Sequence, residues 1–301
     1  MAETLSHVET RLIVRNPMRW SLVSRAFATR LHNACLLLLA TLAAGAIVPA
    51  SSANAAFDHS HSAFDALLRQ HVVLISDGTA SQVDYAAFQR KRAALQGYLA
   101  ELAAVTPQHY GNFSKSEKLA FLINAYNAYT VEFILTRYPD IQSIRDLGSL
   151  FSNAWKKRLF PLLGEKRTLD EIEHEMIRKP GDFDDPRIHM AVNCASIGCP
   201  ALRDEAYVAQ RLDAQLDDAV ESFLRDSSRN RADEKALRVS KIFDWYAEDF
   251  EKHSGSVAAW LAQYASQLSD DPEIQSAVTA GSLRIRYLDY DWALNDLRDQ
   301  D

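Results

Sequence analysis

The sequence predicts one mainly helical α+β domain that also contains a small, largely antiparallel sheet. Apolar side chains recur at three- and four-residue spacing through much of the chain, which is the period of helices that bury one face. Short stretches that alternate apolar and polar residues, such as residues 283–287, predict a few strands. Because the strands do not alternate regularly with helices, the pattern favours α+β over a doubly wound parallel sheet.

The composition is that of a globular protein and excludes some functional classes. Of 301 residues, 48% are hydrophobic and 24% are charged, and the formal net charge is −7. An acidic chain lacks the basic face that neutralises phosphates, so we expect no nucleic-acid partner. No apolar stretch reaches the roughly 18–20 residues that a membrane-spanning helix needs.

Residues 1–55 have the three parts of a secretory signal peptide. Arginines precede an apolar stretch over residues 34–48, and small residues follow at Ala53 and Ala55. We expect cleavage after Ala55, with membrane contact only through this segment before cleavage. The mature protein is then periplasmic or secreted. A retained membrane anchor is the alternative, although the apolar stretch is short for one.

The rest of the chain is predicted to hold a helix and linker over residues 56–83, one domain over residues 84–292 and a C-terminal tail over residues 293–301. Within these regions the sequence predicts helices over residues 61–75, 85 to about 102, 116–137, 168–178 and 205–224, and a further helix that begins at residue 272. It also predicts a hairpin turn at Gly164. Strands are predicted over residues 188–194, 237–239 and 283–287.

The helix predicted over residues 116–137 is the most informative element. Ser114 and Glu117 have the capping-box spacing, and apolar residues occupy most sides of the helix, which predicts burial. Asn124 and Asn127 fall inside this buried environment. Because buried amides need hydrogen-bond partners, we expect them either to hold neighbouring loops or to face a pocket.

The segment from Arg187 to Pro200 carries the most reactive side chains, and its cysteines have several interpretations. The first interpretation is structural: export makes a Cys194–Cys199 disulfide reasonable, and inert buried thiols are the other structural form. A nucleophilic thiol at Cys194 is the second interpretation. A metal site that uses cysteine, His174 and His189 is the third, but two cysteines separated by four residues are a weak zinc pattern. We therefore predict no metal and no cofactor.

Two functions follow from these interpretations. The first is a periplasmic thiol-dependent hydrolase or acyl-transfer enzyme, with Cys194 as nucleophile, His174 or His189 as base, and Asn124 or Asn127 as orienting or oxyanion-binding group. Side chains alternate along a strand, so His189 and Cys194 would lie on opposite faces unless the chain turns between them. The second is a non-catalytic envelope module for binding or scaffolding, stapled by the disulfide.

Other polar and aromatic side chains are candidates for lining a pocket. They are Glu175, Arg178, Trp245, Tyr246 and Asp249. Residues 289–292 place two acids beside aromatic rings, which could line a groove for a sugar or peptide. The expected partner is therefore a cell-envelope peptide or glycan, although core packing and surface ion pairs explain such residues equally well.

Several ordered motifs resemble the domain-of-unknown-function 547 family (DUF547). They are Asn124-Ala-Tyr-Asn127, Ile172-Glu-His174 continuing to Arg178, Asp185-Pro-Arg-Ile-His189, Asn193-Cys-Ala-Ser196, Gly198-Cys-Pro200, Ile242-Phe-Asp-Trp-Tyr246, and Tyr287-Leu-Asp-Tyr-Asp-Trp292. The resemblance spans about residues 84–292. It implies an exported or envelope protein of bacteria and implies no established activity.

Overall fold

The described chain, residues 56–149 and 152–297 of a computed structural model, consists of short helices and small sheets around one long buried helix. The predicted signal peptide and its cleavage site lie outside these residues. The α-helices are α1 (Ser62–His71), α2 (Tyr85–Arg90), α3 (Arg92–Ala104), α4 (Pro107–Gly111), α5 (Lys115–Leu135), α6 (Leu212–Arg225), α7 (Ile242–Trp245), α8 (Ala247–Ser254), α9 (Val257–Leu261), α10 (Ala265–Leu268) and α11 (Pro272–Thr279).

The strands form separate small sheets. They are β1 (Val72–Ile75), β2 (Ala80–Val83), β3 (Phe160–Leu162), β4 (Glu165–Arg167), β5 (Arg231–Asp233), β6 (Ala236–Val239) and β7 (Ile285–Tyr287). The β1–β2, β3–β4 and β5–β6 pairs are antiparallel, and β7 pairs with β6 in parallel. The mainly helical α+β prediction is confirmed, although the strands make several sheets where one was expected.

The predicted hairpin turn at Gly164 is confirmed. Leu163 and Gly164 connect β3 to β4 and both have positive φ, 52° and 83°. A two-residue turn with positive φ at both positions matches the twist of the strands that it joins. Glycine adopts this conformation without strain, which explains its position here.

Helix α5 begins and ends close to the predicted limits. Both hydrogen bonds of the capping box between Ser114 and Glu117 are present at its start. From Leu119 to Leu135, nearly every side chain is buried. The helix therefore stands at the centre of the fold, and its two asparagines are fully enclosed.

Several predicted elements have different limits. The first helix ends at His71 and continues as strand β1, and residues predicted as a linker form the β1–β2 hairpin. The second helix breaks at Lys91 into α2 and α3, and α6 begins at Leu212 instead of residue 205. Part of the predicted tail is bonded to the domain, because Asp296 forms a bridge with Val83.

The strand predicted over residues 188–194 is wrong. Pro186–Met190 forms a 3₁₀ helix, which Asp185 caps by accepting a hydrogen bond from the backbone of Arg187. Proline fixes a helical φ at the first turn, so the local signal for a helix start outweighs the apolar run that suggested a strand. The alternation of faces between His189 and Cys194 therefore does not hold.

The core consists of two clusters of buried apolar side chains. The larger surrounds α5 and takes in α1, α2 and α3, and the smaller surrounds Trp260 and includes residues of α6, α8 and α9. Of the helices in residues 56–149 and 152–297, none has the length and apolar character to cross a membrane.

Candidate functional site

A cavity of about 110 Å³ lies where the two core clusters meet. The larger cluster contributes Tyr126 and Val192 to its wall, and the smaller contributes Ile242 and its neighbour Tyr246. Aromatic side chains dominate the lining: Tyr126, Trp155, Trp245, Tyr246, Tyr290 and Trp292. Concave, mainly apolar sites with a few polar groups are typical of small-ligand binding.

Cys194 and Cys199 form a disulfide in the wall of this cavity. Their Cα atoms are 6.3 Å apart, and Cys199 is buried whereas Cys194 is partly exposed. The Tyr290 hydroxyl lies 3.1 Å from each sulfur. The first interpretation of the cysteines therefore describes this structure, and in the disulfide form Cys194 carries no thiolate that could act as a nucleophile.

Gly198 allows the Tyr290 ring to approach the disulfide loop. A Cβ atom at this glycine would lie 2.9 Å from Cε2 of Tyr290 and 3.0 Å from the Asp291 carbonyl. Both distances are closer than ordinary van der Waals contact. The absent side chain at position 198 is therefore what lets the ring pack against the loop.

Asn124 and Asn127 bind backbone groups and do not line the cavity. Asn124 donates to the Tyr207 carbonyl at 2.7 Å and accepts from the Tyr207 amide at 3.0 Å. Asn127 donates to the Ala191 carbonyl at 3.0 Å and accepts from the Asn193 amide at 2.8 Å. Their amide groups fix the chain segments that surround α5, in agreement with the first of the two roles expected for buried amides.

His189 lines the cavity and is paired with Asp249. Its Nε2 lies 2.7 Å from Oδ2 of Asp249, its ring stacks on Tyr246 at 3.9 Å, and its side chain is almost fully buried. Burial lowers the pKa of His189, so the ring is favoured in its neutral form. Nδ1 of the same ring is buried and has no hydrogen-bond partner.

Arg178 links Asp249 to His174. Its guanidinium donates to Asp249 at 2.6 and 3.0 Å, and Nη1 lies 2.6 Å from Nδ1 of His174. Burial acts to raise the pKa of Asp249, but hydrogen bonds from His189 and Arg178 outweigh it and hold that pKa well below its usual range. His174 itself does not line the cavity, so of the two proposed bases only His189 borders the same space as Cys194.

Glu173, which the sequence analysis did not select, is the acidic residue of the cavity. It is 5% exposed and accepts a hydrogen bond of 2.5 Å from the Tyr246 hydroxyl. Burial and the nearby Glu173 charge both raise the pKa of Tyr246, which keeps that hydroxyl protonated as a donor. Glu175, the predicted candidate, is exposed.

The burial of Glu173 agrees with the apolar spacing of this segment. Glu173 lies four residues after Leu169 and one after Ile172, and all three are buried. Glu171–Ile177 forms a π-helix within the predicted helix over residues 168–178, and the Arg178 amide bonds to the Glu173 carbonyl five residues earlier. Charged side chains are rarely buried, which is why spacing alone did not mark Glu173 as the acid of a cavity.

The aromatic rings at the mouth form one connected group. Tyr290 and Trp292 lie 4.6 Å apart between ring centroids, Trp245 lies 4.9 Å from Tyr290, and Trp155 packs against Trp292 at 5.7 Å. Trp245 is 45% exposed, an unusual degree for a large aromatic side chain. Of the predicted pocket candidates, Trp245 and Tyr246 line the cavity, and Arg178 and Asp249 lie behind His189.

A larger, open depression of about 1090 Å³ lies on the other side of Tyr290, which lines both spaces. Arg229, one of the two arginines that line it, is already bound by Asp226 and donates to the Thr79 carbonyl at 2.9 Å. These contacts tie loops together. Among the described residues, no three His, Cys, Asp or Glu side chains are grouped so that they could hold a metal ion.

A family model described as "Protein of unknown function, DUF547" matches residues 110–224. The match includes α5, the π-helix and the cysteine segment, whereas Trp245, Tyr290 and Trp292 lie beyond it. Neither the comparison with curated proteins nor that with solved structures found a match.

Proposed function

We propose that this chain, whose residues 110–224 belong to the DUF547 family, is an exported binding module whose ligand enters the aromatic cavity. The observation that carries the proposal is the disulfide between Cys194 and Cys199 in the cavity wall. This bond occupies the sulfur of Cys194, the nucleophile that the hydrolase hypothesis needs. The cavity that remains is lined by aromatic rings and by the carboxylate of Glu173. The ligand is a peptide or glycan of the cell envelope.

Location in the periplasm or outside the cell is part of this proposal. The leader-like sequence of residues 1–55 supports it, and so does the disulfide, because such bonds persist in oxidising compartments. The closed loop is short, so chain entropy gives the disulfide a stabilising effect of only about 2 kcal/mol. Its main role is to hold the local shape of the wall.

Alkylation of the exported protein, purified without reductant, tests the role of the disulfide. We expect no alkylated Cys194 or Cys199 before reduction and complete alkylation of both afterwards, measured by peptide mass spectrometry. The variant Cys199→Ser is the matched control, because it frees Cys194 for labelling without reduction. Rapid labelling of Cys194 in the untreated wild-type protein would contradict a structural disulfide.

Titration with envelope peptides and oligosaccharides, followed by tryptophan fluorescence, tests the binding function. The variant Trp245→Ala removes an exposed ring of the cavity, and we expect it to weaken binding by roughly tenfold, the effect of a central aromatic contact. Tyr287→Ala removes an exposed ring that does not line the cavity and should bind like the wild type. Equal affinities of both variants would place the binding site elsewhere.

The thiol-dependent hydrolase remains a second candidate because His189, oriented by Asp249, lines the same cavity as Cys194. With the disulfide reduced, His189 would take the proton of the Cys194 thiol, the thiolate would attack a carbonyl carbon, and the leaving group would take that proton back from His189. Water would then release the acyl group from sulfur. A reduced protein that an acyl probe labels at Cys194, but does not label in Cys194→Ser, would favour this enzyme over the binding module.

A further inference from the structure

We infer that the aromatic cavity binds an organic ammonium group, the cationic head of an amine-bearing or quaternary-ammonium ligand. This inference rests on the proposed binding function and specifies its ligand. It selects an amino-group-bearing peptide over a neutral glycan as the occupant.

Glu173 is a buried acid whose charge has no basic partner at contact distance. Among the described residues, no lysine, arginine or histidine nitrogen lies within 4.0 Å of its carboxylate oxygens. Arg178 and His189 interact with Glu173 electrostatically at longer range, but their hydrogen bonds go to Asp249. A buried carboxylate is costly unless a cation and hydrogen bonds compensate it.

The hydrogen bonds around Glu173 prepare it to accept a cation and do not neutralise it. Tyr246 donates its hydroxyl proton to the carboxylate at 2.5 Å, and Tyr126 forms a further side-chain hydrogen bond with it. The pKa of Tyr126 is raised well above its usual value by burial first and by the Glu173 charge second. Both hydroxyls therefore donate to the carboxylate, and neither brings a positive charge to it.

Among the described residues that line the cavity, Glu173 is the acidic one and none is a lysine or arginine. Next to the cavity, Arg178 and Asp249 offset one another, and the lowered pKa of His189 keeps this ring neutral near pH 7. Arg145 contacts the Trp292 ring and does not line the cavity. A positive ligand is attracted to such a site, whereas an anionic one is repelled.

The aromatic wall provides the second feature that favours a cation. Ring faces carry partial negative charge and attract ammonium groups within about 6 Å of the centroid, which is how aromatic cages bind quaternary ammonium ligands. Two of the rings that line the cavity already contact cations of the protein. Arg145 lies 5.4 Å from the Trp292 ring, and Arg178 lies 4.9 Å from the Tyr246 ring. Trp155, Trp245 and Tyr290 have no such contact among the described residues.

The volume of the cavity selects a small head group. A space of about 150 Å³ in a protein core holds benzene. The 110 Å³ found here therefore suits a group of about four or five non-hydrogen atoms, such as a trimethylammonium group or the end of a lysine side chain. A complete sugar ring with its hydroxyls exceeds this volume.

Calorimetric titration with choline and with its neutral isostere, 3,3-dimethylbutan-1-ol, tests the inference. The two molecules have the same shape, and a quaternary carbon replaces the charged nitrogen in the alcohol. For the oxidised wild-type protein, we expect choline to bind at least roughly tenfold more tightly, the effect of one or two desolvated cation–π contacts.

Two glutamate variants separate the cavity carboxylate from general acidity. Glu173→Gln keeps the shape and a hydrogen-bond acceptor for Tyr246, and should weaken choline binding by at least roughly tenfold while the affinity for the alcohol stays unchanged. Glu175→Gln removes an exposed carboxylate on the same π-helix and should leave both affinities unchanged. Thermal unfolding of each variant checks that it is folded.

The choline titrations test the ammonium ligand separately from the proposed binding function. Equal binding of choline and the alcohol would overturn the ammonium ligand and leave an apolar binding site. Absence of choline binding by the folded wild-type protein, at the highest concentration that can be titrated, would overturn it as well. The proposed binding function is tested by the Trp245→Ala titration with envelope peptides and glycans, so its failure is recognised separately.

Discussion

Replacement of Asn127 by leucine tests whether the buried amides of α5 are braces. Leucine has a similar volume and favours helices, so the main loss is the pair of hydrogen bonds to the Ala191 carbonyl and the Asn193 amide. Each of these buried backbone groups, left without a partner, costs about 1–3 kcal/mol. We therefore expect Asn127→Leu to lower the free energy of unfolding by about 2–6 kcal/mol.

Thermal unfolding followed by circular dichroism under oxidising conditions measures this effect. At about 2–4 °C per kcal/mol for a domain of this size, the midpoint should fall by about 4–24 °C. Asn112→Leu, at an exposed position after α4, is the matched control and should change stability by less than about 0.5 kcal/mol.

A change for Asn127→Leu as small as that of the control would refute the bracing role. If Asn127 instead acted as an oxyanion donor in an enzyme, its replacement would remove activity and leave the unfolding temperature nearly unchanged. The structural role therefore predicts a lower unfolding temperature for Asn127→Leu, whereas the catalytic role predicts a loss of activity at nearly unchanged unfolding temperature. The stability measurement needs no knowledge of the substrate.

Two further predictions concern acid stability and the packing of the disulfide loop. Burial lowers the pKa of His61 to about 4 in the folded state, so protonation of the unfolded chain should remove about 3 kcal/mol of stability as pH falls from about 6.5 to 4. Denaturant unfolding at several pH values should show a smaller decline for His61→Gln, and an equal decline would contradict this cause. Gly198→Ala should displace the Tyr290 ring and speed reduction of the disulfide by dithiothreitol. Gly97→Ala, on the open side of α3, is its control and should raise stability by up to about 1 kcal/mol without changing the reduction rate.

Elements with strong local signals could be predicted from the sequence. The capping box at Ser114, the glycine turn at Gly164 and the proline at the start of α11 each bring a specific backbone preference. The signals at these positions act over a few residues, so they are readable without knowledge of the fold. The strand predicted over residues 188–194 was wrong, because a short apolar run is compatible with either a strand or a helix. The hydrogen bond by which Asp185 caps this segment favours the helix.

The candidate site was predictable only in part. Sequence patterns selected His189, Cys194, Trp245 and Tyr246, which all line the cavity. They did not select Glu173, because a charged side chain is usually exposed even where the apolar spacing places it beside buried residues such as Leu169 and Ile172. They also could not distinguish a brace from an oxyanion donor for the asparagines, since an amide serves either purpose.

The sequence by itself determined the helical character, the buried position of α5, the reactive residue types and the resemblance that the family match confirms over residues 110–224. These properties depend on the order of neighbouring residues. Only the tertiary structure decided which distant groups meet: Tyr290 with the disulfide sulfurs, His189 with Asp249, and Glu173 with the rings of the cavity. Contacts between residues distant along the chain depend on how the whole core packs, and local spacing carries no record of that packing.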